Sequence, residues 1–511
     1  MSEPREIELK LEGELSDLAT LQAHPLLQEA AEQDEALLTS VYHDTADLRL
    51  RAAGLGLRVR KKGDQHIQTL KAEGDGLFER PEWEWPVSGP EPDLALLADT
   101  PAAAILDGAA PPQPVFTTAV TRRTYGVEQG RSRIEVALDS GRIVAPAQDR
   151  VVGICEVELE LKDGAAAEVF ALAHALAALA PLRLGVRSKS ERGYLLAAGE
   201  ADRVRKAEPV RLRTDMNAAQ AFQAVVHACL RHMRTNEDIL LQGRNADALH
   251  QVRVAIRRLR SAFSLFGDLV RDAQGERLRA ELKRITEPLG HARNLDVFLA
   301  TTLPAERERH PDEPGLLTLE TLLEDRRAQA HDAVQEMLRS DAWRTLVLDL
   351  VRWTNAGPWL RDNAGDRAEA RAEPARDFAA RVLDKRRRQV KKRGRHLDDL
   401  NPEDRHQVRI AAKKLRYGAE FFAGLYDGKK ATRRHAAFVK ALSELQDHLG
   451  ALNDIATADE ILHEVTGGQA SPSALFAAGM TAADVEARSR TLLTDAAQAR
   501  SDLVDVKPFW R

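Results

Sequence analysis

The sequence predicts an α+β protein of more than one domain, an antiparallel sheet first and an all-helical region after it. Three observations carry this. Short runs with period-two alternation, punctuated by turn signals such as Gly63-Asp64 and Asp139-Ser140-Gly141, fill the chain to about residue 195. Beyond about residue 215, Ala, Leu, Arg and Glu recur at helical spacing with almost no strand-like run. Within that helical region, His250-Gln251-Val252-Arg253-Val254-Ala255-Ile256-Arg257-Arg258-Leu259-Arg260 returns as His406-Gln407-Val408-Arg409-Ile410-Ala411-Ala412-Lys413-Lys414-Leu415-Arg416, which marks a duplicated unit.

Length and composition set the frame. A chain of 511 residues exceeds what one core organises, so two to four domains are expected. With 30% charged and 43% hydrophobic residues, it is globular rather than disordered or membrane-embedded. The N-terminus lacks the basic-then-apolar order of a secretion signal. The most apolar stretch, 169–180, carries His174 and is too short to span a bilayer. Two cysteines, Cys155 and Cys229, are too few for a disulfide framework or a thiolate zinc site. A soluble, cytoplasmic protein with no membrane partner is therefore expected.

The net charge of −5 hides an asymmetry: residues 1–199 carry about −11 and residues 200–511 about +6. Such a split suits an acidic part that holds metal and a basic part that holds anions. The polar, basic segment 199–214, with Pro209, reads as a linker between a first domain at 1–198 and a helical domain at 215–505. A second polar stretch, 357–374, divides the latter into repeats at about 215–356 and 375–505.

In the first domain, Glu6, Glu8 and Lys10 alternate with Ile7, Leu9 and Leu11, placing charge on one face of a strand and aliphatics on the other. The design recurs in Arg58 and Arg60, in Arg80, Glu82 and Glu84, in Glu135 and Asp139, and in Glu156, Glu158, Glu160 and Lys162. One such strand is an ordinary wet sheet face. Several of them, acidic and basic, all backed by aliphatics, fit a closed barrel with a charged interior. Crowded carboxylates then need a cation, and hard oxygen ligands suit Mg²⁺ or Mn²⁺. The bases need an anionic guest, and a phosphate chain bridged by the metal satisfies both sets.

In the helical domain, His250, Arg253, Arg257 and Arg260 fall in one arc of a helix, opposite Val252, Ala255, Ile256, Leu259 and Phe263. His406, Arg409, Lys413 and Arg416 group the same way in the second copy. Surface helices usually mix signs on the wet face; these stripes contain no acid, so two of them facing one another would cradle an anion. Lys385–Arg395 is a further basic run that extends this surface. A looser echo, Leu289-Gly290 with Arg293, Asn294 and Asp296 against Leu449-Gly450 with Asn453 and Asp454, supports the duplication. Nucleic acid is the competing guest for a basic helical domain, but a pI near 6.3 and 5% aromatics disfavour it.

Two resemblances follow. Glu6-Ile7-Glu8-Leu9-Lys10 resembles the ExExK signature of the CYTH, or triphosphate tunnel metalloenzyme, family. Arg58, Arg60, Lys71, Arg80, Glu82, Arg122, Glu135, Asp139, Glu156, Glu158, Glu160, Lys189 and Tyr194 follow in the family's order. His43 stands where the family often has an aromatic residue. The resemblance implies an antiparallel eight-stranded tunnel with flanking helices that hydrolyses triphosphates with a divalent metal. It implies Glu6, Glu8, Glu158 and Glu160 as metal ligands, Glu6, Glu8 and Lys10 in catalytic roles, and Arg58, Arg60, Lys71, Arg122 and Lys189 against phosphate oxygens. The doubled His-x-x-Arg-x-x-x-Lys/Arg-Lys/Arg-Leu-Arg motif resembles the CHAD family, two repeated helical bundles often fused behind CYTH. That resemblance implies binding of inorganic polyphosphate by His250, Arg253, Arg257, Arg260, His406, Arg409, Lys413 and Arg416, with association with polyphosphate granules as one setting. Inorganic triphosphate is the expected substrate of the tunnel. Thiamine triphosphate hydrolysis, adenylate cyclase chemistry and a non-catalytic granule scaffold are the alternatives.

Overall fold

A computed structural model describes residues 5–74, 76–146, 149–361, 365–467, 471–487 and 489–511, with side chains described from Ile7 onward in the first strand. The chain forms two compact units, Met1–Arg205 with Asp341–Gly357, and Lys206–Ser340 with Pro358–Arg511.

The first unit is a closed antiparallel barrel. Its strands are β1 (Arg5–Glu12), β2 (Glu32–Asp44), β3 (Leu55–Lys62), β4 (Gln65–Ala72), β5 (Glu79–Val87), β6 (Gln113–Gln129), β7 (Ser132–Ala145) and β8 (Arg150–Asp163). They run β5-β4-β3-β2-β6-β7-β8-β1, and β1 pairs back onto β5, so the eight-stranded ring has no free edge. A two-residue β9 (Arg183–Leu184) adds to β1. Alternation does the sorting: Leu9, Leu11, Val157 and Leu159 are buried on one face, while Lys10, Glu156 and Glu158 turn to the other.

One turn expectation fails. Gly63, at φ +59°, makes the tight β3–β4 turn as its sequence suggests, but Asp139-Ser140-Gly141 lies inside β7. A Cβ on Gly141 would stand 2.1 Å from the carbonyl oxygen of Ala119 on β6. The glycine admits a close backbone approach between paired strands rather than a reversal.

The helix Lys189–Ala197 closes onto the barrel. Ser188 caps it by accepting from the Glu191 N–H at 3.1 Å, and Tyr194 donates to Asp44 at 3.0 Å. Gly193 lets it approach β6 so tightly that a Cβ would sit 2.0 Å from the Phe116 ring. Replacing Gly193 with Ala is expected to destabilise the unit by about 1–3 kcal/mol, read as a lowered urea midpoint.

The helix Asp341–Ala356 falls within the first helical repeat by sequence, yet it packs in the barrel unit against the helix Ala166–Ala177, with Asp349 3.3 Å from His174. Its Trp343 and Trp353 are buried. Its amphipathic pattern fixes which face is buried but not what covers it.

The second unit is helical throughout its described elements. The two copies of the repeated motif lie on the helices Ala246–Leu265 and Pro402–Phe421, capped by Asn245 and Asn401, and these two helices pack on each other. Their apolar faces, Val252, Ala255, Leu259 and Phe263, and Val408, Ala412, Leu415 and Phe422, are buried. Among the described residues no helix is long and apolar enough to cross a membrane.

Candidate active site and anion-binding face

In the barrel, strand register decides which acids meet. Across β1 and β8, Glu8 faces Glu160, Lys10 faces Glu158 and Glu12 faces Glu156; across β7 and β8, Asp139 faces Glu156; across β6 and β7, Arg122 faces Asp139. These side chains converge. Lys10 Nζ lies 2.8 Å from Glu158, 3.3 Å from Glu8 and 3.5 Å from Glu156. Lys189 Nζ, at the start of its helix, reaches Asp139 at 2.6 Å and Glu158 at 2.8 Å and also contacts Glu156. Arg122 grips Asp139 through Nε at 2.8 Å and Nη2 at 2.6 Å, and touches Glu158 as well.

Burial works against each of these charges, and pairing overrides it. Desolvation lowers the Lys10 ammonium, but Glu156, Glu158 and Glu8 hold its pKa well above the ordinary value. Lys189 is raised by Glu156, Glu158 and Asp139 against the same burial. Burial pushes Glu158 up, yet Lys10, Lys189 and Arg122 keep it well below the usual carboxylate range. Lys10, Lys189 and Glu158 are therefore charged at neutral pH.

On the opposite arc the balance reverses. Arg60 donates to Ser40 at 3.3 Å, and burial, then Arg58 and Arg122, push it down to about 10. Arg58 is buried, 3.5 Å from the Tyr42 hydroxyl and 3.9 Å from Glu82, and Lys71 pairs with Glu82 at 2.9 Å. An acid-rich wall thus faces a basic one in which Arg60 is repelled by Arg58 and Arg122, while Arg58 is raised by Tyr42 and Glu82 against its burial.

The donor chemistry fits a hard divalent cation. Asp139, Glu156 and Glu158 each offer an oxygen within 4.8 Å of the others, and Glu8 Oε1 is buried without a hydrogen bond among the described residues. Asp139 and Glu156 belong to this centre although the sequence assigns them no ligand role; their alternation with buried aliphatics was the available signal. Glu160 sits one register step farther along, 2.7 Å from Lys162. The Glu6 backbone pairs with Arg80, and its side chain lies outside the described residues.

In the helical unit, the two basic stripes meet. Arg253, pushed down to about 10 by burial, feels Arg257, Arg293 and Arg409. Lys413 faces Arg409, Arg257 and Arg253. His250, lowered to about 4 by burial and by Arg293, Arg257 and Arg253, is neutral at pH 7. Asp454 is the acid acting on Arg409 and Lys413. Arg253 donates to the Leu289 carbonyl at 2.7 Å, and a Cβ on Gly290 would crowd it at 3.3 Å, an approach that Gly450 in the second copy does not share. Arg293 and Asp454 enter the face from that same echo.

Other motif residues stand apart from this group. Arg416 is held by Glu420 at 2.8 Å and by Ser443 at 3.1 Å, an acid one turn beyond the repeated stretch. Arg260 is exposed and faces Arg279. His406 bonds the Asn453 side chain at 3.0 Å. In the downstream basic run, Arg387 caps the carbonyls of Val504 and Val506, and Lys385 pairs with Asp268.

Both units have known relatives. The CYTH domain model matches residues 4–194 and the CHAD domain model residues 224–463. An inorganic triphosphatase of Haemophilus influenzae is 32% identical over 178 residues, 33% of this chain and 48% of that protein, so the chain spans about half the length of this relative. The crystal structure of the CHAD domain from the plant Ricinus communis is 30% identical, covering 59% of this chain and 97% of that one, with a TM-score of 0.52.

Proposed function

The chain belongs to the CYTH family over its barrel and to the CHAD family over its helical unit, and from that premise we propose that the barrel hydrolyses inorganic triphosphate while the helical unit binds inorganic polyphosphate. One observation carries the catalytic part: the Asp139, Glu156 and Glu158 oxygens gather on one wall while Arg58, Arg60 and Arg122 crowd together beside them. Pure anion binding needs no buried carboxylates. A triphosphate with a bound divalent ion satisfies both walls, and the inorganic triphosphatase identity of the Haemophilus relative agrees with it.

Asp139, Glu156 and Glu158, with Glu8 beside them, are the residues that would hold Mg²⁺ or Mn²⁺. Such an ion supplies neutralisation of the phosphate oxygens at the reacting centre. The chain supplies the rest. Arg58, Arg60 and Lys71 bind and orient the phosphate chain, with Arg122 at the junction of the two walls. Lys10 and Lys189 stay protonated and hold the carboxylates together between substrates. Glu8 Oε1, which like Glu156 Oε1 is buried without a hydrogen bond among the described residues and lies 3.3 Å from Lys10 Nζ, accepts from the attacking water and aligns it with the terminal phosphoryl group.

Phosphate release from inorganic triphosphate, ATP and thiamine triphosphate, each with Mg²⁺, Mn²⁺ or EDTA, tests this reading. Inorganic triphosphate with metal is expected to be turned over fastest, and EDTA to abolish release. Cyclic AMP formed from ATP without orthophosphate would refute the substrate assignment.

A further inference from the structure

We infer that the helical unit takes up a proton when it binds a polyanion, and that Lys413 is the group its guest recharges; this rests on the polyphosphate-binding reading above. Lys413 is half-buried on the helix Pro402–Phe421. Facing it are Arg409 from its own helix, Arg257 and Arg253 from the helix Ala246–Leu265, and Asp454 from the helix Lys429–Thr466. The helix Ala375–Arg393 also packs here, but its cations Arg386 and Arg393 face Lys414 instead.

Guanidinium groups keep their proton through the neutral range, Arg253 included at about 10. Lysine is therefore the member of this crowded group that can relieve the repulsion by giving one up. Burial, reinforced by Arg409, Arg257 and Arg253, pushes Lys413 down to about 7. Asp454 opposes this more weakly than the three arginines act. His250, near 4, is neutral in the free unit above pH 6, and reading uptake at pH 8 separates Lys413 from any proton the same guest returns to it.

A chain of phosphates brings the missing negative charge, which returns the Lys413 pKa toward that of an ordinary lysine. The sign follows. Between the free value near 7 and the higher value in the complex, binding consumes a proton, so affinity weakens as pH rises above about 7, by up to about tenfold per pH unit. Below that window Lys413 is charged in both states and its own contribution levels off.

The test is calorimetric titration of the full chain with inorganic polyphosphate in EDTA, at pH 8 in two buffers of different ionisation enthalpy, with Kd followed from pH 6.5 to 9. Wild type is expected to take up close to one proton. K413R, whose side chain stays charged, is expected to lose that uptake and to flatten the pH profile. K414R is the comparison, because burial and Arg386 also depress Lys414; it should keep most of the uptake. Tight wild-type binding without proton uptake, or loss of uptake in K414R but not in K413R, overturns the inference and leaves polyphosphate binding intact. No binding at any pH overturns both.

Discussion

Replacing Glu158 with Gln is expected to cut phosphate release from inorganic triphosphate by about 100- to 1,000-fold while the chain stays folded. Glu158 is the carboxylate on which Lys10, Lys189 and Arg122 all converge, and it shares the acidic trio with Asp139 and Glu156. The amide keeps the shape and loses the charge, so both the hard oxygen donor and the counter-charge for three buried cations weaken. Asp139, Glu156 and Glu8 remain to pair those cations, which is why the fold should survive. Activity and a thermal melt measured on the same sample separate the two effects. A variant that melts like wild type and hydrolyses at the wild-type rate would remove Glu158 from the chemistry.

The second large effect belongs to the helical unit. The double variant R257A/R409A is expected to weaken polyphosphate binding by about 100-fold or more at moderate salt and to make log Kd less steeply dependent on log salt, by roughly one unit of slope for each phosphate that is no longer neutralised. Arg257 acts on His250, Arg253, Arg409 and Lys413, so it lies where the two repeats meet. Arg416 provides the contrast: its guanidinium is already bound to Glu420 and Ser443. Kd measured at several salt concentrations, with duplex DNA as competitor, reads both the weakening and the selectivity.

Much of the architecture was legible because alternation and helical spacing state which face of an element is buried. The charged faces of β1, β3 and β8 could be read from Glu8 and Lys10, Arg58 and Arg60, and Glu156 to Lys162, and the doubled motif from a direct match between its copies. Depth along the barrel was not legible. Whether Glu156 or Glu160 stands beside Asp139 depends on the pairing of β7 with β8, a long-range register that no local pattern encodes. The Asp139-Ser140-Gly141 signal misled for a related reason, since glycine serves a turn and a close strand approach equally well. In the helical unit, the stripes were visible but their partners were not: Glu420 lies just outside the repeated stretch, and Arg293 reaches the face from another helix. The helix Asp341–Ala356 shows the same limit, because amphipathicity does not say which unit receives its buried face.

Hydrolysis in the barrel requires a phosphate chain and a divalent ion to share its interior. Crystals grown with Mn²⁺ and a non-hydrolysable triphosphate analogue, with anomalous scattering used to locate the metal, test this most directly. The expected result is an Mn²⁺ peak against the carboxylates of Asp139, Glu156 and Glu158, with analogue oxygens at Arg58 and Arg60. Metal and analogue bound outside the barrel, with Lys10 and Lys189 still locked to those acids and the arginines bare, would contradict it.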